Sequence, residues 1–137
     1  MKTVQLTRTI INEILRHAQQ SPDAEVCGLI SQHGGNPVRL YRVPNVADAP
    51  DQLFRMEPEG QIDAMRTMRE RGEELFAIYH SHPHSPPEPS ARDLAEAAYP
   101  EALFLIVSLD TQGVLEMRGY YLREGQIETV ELETVEG

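Results

Sequence analysis

A chain of 137 residues with 40% hydrophobic and 25% charged side chains is long enough to bury a core as one domain, residues 1–137. Its formal net charge of −10 speaks against a nucleic-acid partner, because phosphate binding runs on Lys and Arg. With no run of eighteen apolar residues, no signal-peptide stretch in MKTVQLTRTI and a lone cysteine, Cys27, neither a membrane partner nor a disulfide is expected, and the default compartment is cytoplasmic.

In chain order, Thr7 caps a predicted helix whose apolar positions Ile10, Ile11, Ile14, Leu15 and Ala18 keep a 3.6-residue period. SPD at 21–23 stops it. EVCGLIS reads as a short buried strand, HGGNP as a turn and VRLYRVPNV as the returning strand. Pro58 suits a first helical turn, Ile62, Met65 and Met68 are expected on one face, and Gly72 ends that helix.

ELFAIYH and ALFLIVSL are near-continuous apolar runs, the pattern of strands covered on both faces. Between them lie a His/Pro loop and a short helix expected from about residue 90 to 98. VLEMRGYYL and IETVELETV then form two strands joined by REGQ. The order predicts an α/β fold, a three-layer sandwich with a mixed central β-sheet flanked by helices. Open sheets of this kind place sites at the C-terminal ends of their strands, where the His/Pro loop departs.

That loop, YHSHPHSPPEPSARD, carries three of the five histidines. His80 and His82 alternate, so on an extended strand both imidazoles share one face and can reach one ion. Pro83 fixes the backbone after them. Asp93 is the nearest carboxylate placed on a new element, and two His with one carboxylate leave an open position for water, the catalytic pattern for zinc. His-x-His also occurs in plain polar loops, and Ser90 with Asp93 equally forms a helix capping box. The two readings are compatible, since a cap that fixes the helix start also fixes the ligand.

His84, in the proline-rich loop, is read as solvent- or substrate-facing, while His17, on the polar side of the first helix, and His33, in a turn, are read as having no special role. Glu25 opens an otherwise buried strand, where a carboxylate needs a partner, and it is a candidate general base.

Taken together, Glu25 in EVCGLI, His80-Ser81-His82-Pro83, six residues, Ser90, two residues and Asp93 resemble the JAMM (MPN+) metalloprotease motif, Glu followed by H-x-H-P-x6-S-x2-D. The resemblance spans most of the chain and implies the MPN, cytidine-deaminase-like fold. It implies one zinc per chain on His80, His82 and Asp93, a water held and deprotonated by Glu25, and an oxyanion stabilised by Ser90. Cys27 matches a Cys-Gly seen in several members and is read as a small buried residue, with no His placed to activate it.

Family members cleave amide or isopeptide bonds after the C-terminal tails of ubiquitin-like proteins, and the chain is most similar to the compact bacterial branch that trims sulfur carriers. The expected partner is therefore a small ubiquitin-fold or sulfur-carrier protein substrate, with a homodimer left open. The competing reading is a non-catalytic MPN interaction module, which typically loses ligands that this chain keeps. A cupin is opposed by the two periodic helices, and a metallo-β-lactamase by the absence of a His-x-His-x-Asp-His run.

Overall fold

The two apolar runs lie side by side as parallel strands, β4 (Glu74–His82) and β5 (Leu103–Ser108), in a computed structural model that describes residues 1–110 and 115–137. The remaining elements are β1 (Thr3–Thr7), α1 (Arg8–Gln19), β2 (Cys27–His33), β3 (Asn36–Val43), α2 (Pro58–Glu70), α3 (Ala91–Ala95), β6 (Glu116–Arg123) and β7 (Gln126–Val135). Among the described residues one seven-stranded sheet runs β1-β7-β6-β5-β4-β2-β3, parallel at β1–β7 and β4–β5 and antiparallel elsewhere. Among the described residues no helix is long and apolar enough to cross a membrane.

The strand period of two sends alternate side chains to opposite faces. Ala77 and Tyr79 of β4 join α1's Ile10, Ile14 and Ala18 in one buried cluster. Ile78 joins Ala64 and Met68 of α2 in a second cluster, with Leu29, Phe104 and Ile106. The sheet therefore carries a helix layer on each face, as expected. His80 and His82 continue the parity of Ile78 and face the α2 side, whereas Ser81 faces the other way and accepts the Val26 N–H at 2.9 Å.

Four sequence expectations need correction. First, a strand precedes the first helix: TVQLT alternates exposed and buried positions over five residues, and it pairs with β7 at the far end of the chain. Thr7 ends that strand and also caps α1, accepting the Ile10 N–H at 3.3 Å. Second, β2 begins at Cys27, so Glu25 stands two residues outside the strand it was expected to open.

Third, Ile62 is 58% exposed, and α2 buries Ala64 and Met68 instead. At about 100° per residue Ile62 lies about 200° around the helix from Ala64. Fourth, α3 stops at Ala95, short of the expected 98, with Glu96 as its C-cap. Val114, the first residue of the run read as VLEMRGYYL, lies outside the described residues, and the strand is seen from Glu116.

Candidate metal centre

The two histidines reach their places by strand geometry alone. They lie within β4 itself, fully paired to β5 through His80↔Ile106 and His82↔Ser108. Neighbouring strands hold both backbones, so the imidazoles are presented by rigid sheet. Their Nε2 atoms are 3.1 Å apart.

Asp93 arrives from the opposite side on α3. Ser90 Oγ accepts the Asp93 N–H at 3.0 Å, and Asp93 Oδ2 accepts the Ser90 N–H at 2.9 Å, a complete capping box. The same Oδ2 lies 3.2 Å from His80 Nε2 and 3.4 Å from His82 Nε2. Glu25 places a carboxylate oxygen within 4.8 Å of a ring nitrogen on each histidine, a grouping that could hold a metal ion. The structure thus brings Glu25, His80, His82 and Asp93 together, with Ser90 beside Asp93.

Glu25 is held by a segment that the sequence reading passed over. Its N–H donates to the Pro50 carbonyl at 2.6 Å, and its own carbonyl accepts from Asn45 Nδ2 at 2.9 Å. Asn45 Nδ2 also donates to the Leu53 carbonyl, while Asn45 Oδ1 accepts the N–H groups of Ala47 and Arg55. Leu53 and Arg55 flank Phe54, whose ring stacks on His80 with centroids 4.4 Å apart. The Pro-Asn step in VRLYRVPNV was the available signal: Asn in such a position caps local backbone.

The electrostatics separate the two carboxylates. Burial pushes the Glu25 carboxyl up to about 7, with His82 opposing and Asp93 and Asp51 adding to the rise. Burial also pushes Asp93 upward, but hydrogen bonds with His80 and His82 outweigh it and hold that carboxyl well below the usual range. One group is poised to exchange a proton near neutrality; the other stays an anion.

The donor set calls for a cation. The Pro86 carbonyl lies 2.8 Å from His82 Nδ1 and can only accept, so in the neutral ring the proton sits on Nδ1 and Nε2 turns a lone pair inward. That lone pair meets a carboxylate oxygen and a second imidazole nitrogen. A metal ion between them satisfies all three. His80 Nδ1 is the one buried side-chain polar atom without a hydrogen-bond partner among the described residues. The Phe54 stack and the cluster at Nε2 are what hold this ring.

The residues set aside earlier sort themselves. His84 is exposed in the loop, and His33 lies at the exposed end of β2. Cys27 is fully buried, and burial pushes its thiol up to about 12, so it is inert as a nucleophile. His17 is not a plain surface residue: its Nδ1 lies 2.8 Å from the buried Tyr79 hydroxyl.

Fold and cluster define the class, a metallopeptidase of the JAMM type. Residues 7–120 match the family described as prokaryotic homologs of the JAB domain, and the chain belongs to that family. A desampylase of Haloferax volcanii is 35% identical over 107 residues, covering 72% of this chain and 76% of its own. A probable TtuB-protein conjugate cleaving protease of Thermus thermophilus is 34% identical over 122 residues, covering 87% and 76%. A CysO-cysteine peptidase of Mycobacterium tuberculosis is 27% identical over 129 residues, covering 93% and 88%.

Among solved structures, one of a protein from Desulfitobacterium hafniense matches with a TM-score of 0.86 at 30% identity, covering 98% of this chain and 94% of that one. A JAB1/MPN domain protein from Archaeoglobus fulgidus shares the fold at a TM-score of 0.59 and 22% identity, covering 99% and 97%.

Proposed function

We propose that this enzyme hydrolyses the amide bond that follows the C-terminal tail of a small ubiquitin-fold or sulfur-carrier protein, with zinc held by His80, His82 and Asp93. The observation that carries the reading is the convergence of two Nε2 atoms and Asp93 Oδ2 at 3.1, 3.2 and 3.4 Å from one another. Tetrahedral donors at about 2.0–2.1 Å from a shared zinc sit about 3.3 Å apart, so the spacing suits that ion. Zinc bound there supplies a Lewis acid that polarises the scissile carbonyl and brings the pKa of a water toward about 7.

The chain's own residues divide the remaining work. Glu25, whose carboxylate lies within 4.8 Å of a nitrogen on each imidazole, takes a proton from the attacking water and returns it to the leaving amine. Ser90 Oγ accepts the Asp93 N–H, which leaves its hydroxyl hydrogen free to donate to the developing oxyanion. Phe54 covers His80 and excludes solvent from that side.

Beside the cluster lies a cleft of 440 Å³ in which the apolar side chains of Phe54, Met56, Ile78 and Phe104 meet the charged ones of Arg55 and Arg92, a bed of mixed character for an extended tail. The relatives' names, a CysO-cysteine peptidase and a probable TtuB-protein conjugate cleaving protease, support a substrate in which a protein is joined to another residue or chain. The net charge of −10 favours a substrate body that is neutral or basic where it docks.

The test is to incubate purified ubiquitin-fold carriers bearing C-terminal extensions with zinc-loaded enzyme and to measure release of new amino groups. Release that chelation stops supports the reading. A panel left uncleaved by fully metallated protein contradicts it and favours a non-catalytic scaffold.

A further inference from the structure

Four of the seven residues from 83 to 89 are proline, so this loop has few N–H groups with which to hold itself. It is held from below instead. Ser108 Oγ, at the end of β5, donates to the Ser85 carbonyl at 2.6 Å. His82 Nδ1, at the end of β4, donates to the Pro86 carbonyl at 2.8 Å. Tyr120 Oη, on β6, donates to the Pro87 carbonyl at 2.7 Å. Three successive carbonyls are thus gripped by side chains from three adjacent strands.

The grip is firm because its outer members are buried: Ser108 is fully inaccessible and Tyr120 is 4% exposed. A buried hydroxyl that has found its acceptor is costly to displace. Ser108 Oγ also accepts the Asp110 N–H at 3.0 Å, so its orientation is fixed on both sides. Pro86 O accepts the Glu88 N–H at 2.8 Å as well, which saturates the carbonyl that faces His82.

We propose that Ser108 and Tyr120 are positioning residues for the metal centre. By fixing the carbonyls on either side of Pro86 they hold the acceptor that keeps the His82 proton on Nδ1 and its Nε2 free to ligate. The loop also runs from His82 to the Ser90 cap, so the same clamp sets the path to Asp93. Neither residue touches substrate or ion. The inference rests on the reading of His82 as a metal ligand. Outer partners of ligating histidines typically change metal affinity by about 10- to 100-fold, and residues one step further out belong at the lower end.

The experiment is competition for zinc between a chromophoric chelator and purified metal-free protein, in wild type, Tyr120→Phe, Ser108→Ala and Tyr41→Phe. Tyr120→Phe removes one hydroxyl and keeps the ring. Tyr41→Phe is the control, since it deletes an equivalent hydroxyl bonded to Glu73 Oε1 at 2.8 Å, away from the loop. Circular dichroism and urea unfolding of the metal-free forms verify that each variant folds.

The expected result is zinc affinity about 10-fold weaker in Tyr120→Phe, weaker also in Ser108→Ala, and unchanged in Tyr41→Phe. Wild-type affinity in folded Tyr120→Phe and Ser108→Ala overturns the clamp while leaving the metal site intact. Equal weakening in Tyr41→Phe also overturns it, because the effect is then general destabilisation. A wild type that binds no zinc instead removes the reading of His82 as a ligand.

Discussion

Ser90 and Asp93 cap each other's backbone: Ser90 Oγ accepts from Asp93 N at 3.0 Å, and Asp93 Oδ2 accepts from Ser90 N at 2.9 Å. The oxygen that closes this ring is the one 3.2 Å from His80 Nε2. Helix nucleation and placement of the third donor are therefore one interaction. A five-residue helix has too few internal hydrogen bonds to hold its start without such a cap.

Ser90→Ala removes the cap and the hydroxyl together. It should lower stability by about 1 kcal/mol and kcat by about 100-fold. Ser90→Thr, which keeps an acceptor and a donor at the same position, should recover most of both. Urea unfolding and turnover read the two effects separately; wild-type turnover in a folded Ser90→Ala would remove the oxyanion role.

Glu25→Gln keeps the shape and burial of the side chain and deletes its basicity. The variant should bind metal as wild type does and lose at least about 100-fold in kcat. Loss of metal instead would make Glu25 a ligand, which its place within 4.8 Å of both imidazoles also allows geometrically.

His82→Ala should lose most of its zinc on elemental analysis, against about one per chain in wild type. Chelating the wild-type metal should abolish activity while far-ultraviolet circular dichroism stays nearly constant, because both hydrophobic clusters are built from side chains other than the ligands. Unfolding on chelation would mark the ion as structural.

Gly28 sits in β2 where an added Cβ would come within 2.5 Å of the Tyr41 carbonyl oxygen and of the Tyr79 ring and hydroxyl. Backbone and a buried ring cannot both retreat. Gly28→Ala should cost about 2–3 kcal/mol or more, seen as a lower urea midpoint. A midpoint unchanged from wild type would mean that β2 can shift at no cost.

The ring of His17 is held near neutral: burial pushes its pKa down from 6.5 to about 4, and Arg42 adds to the fall. Between those values the unfolded chain binds a proton that the folded chain refuses. Stability is thus fully present above about 6.5 and is lost progressively as pH falls toward 4. With solvent screening the loss should amount to about 1–2 kcal/mol, and His17→Gln should flatten it in urea unfolding between pH 7 and 4. An equal slope in the variant would assign the loss to other groups.

The fold class was legible because β4 and β5 are uniform apolar runs and α1 keeps its period, signals that survive in a single sequence. The parallel pairing of β1 with β7 was not, since it joins residues at opposite ends of the chain and only the alternation of Val4 and Leu6 hinted at a strand. His80, His82 and Asp93 come within 3.4 Å of one another through strand parity and a capping box, local rules that the spacing of the motif already carries. What holds Glu25 was legible only in part: the Pro-Asn step marks Asn45 as a residue that caps local backbone, but its reach to Glu25, and that of Pro50, are tertiary hydrogen bonds that carry no periodic pattern. The half-buried His17 was hidden for a similar reason, as its partner Tyr79 lies 62 residues away.

The central claim is tested most directly by intact-mass measurement on ubiquitin-fold carriers with C-terminal extensions, incubated with zinc-loaded wild type and with Glu25→Gln. The account predicts a mass loss equal to the extension, ending at the carrier's native tail, with wild type alone. Unchanged masses with the metallated wild type, or equal trimming by Glu25→Gln, would contradict it.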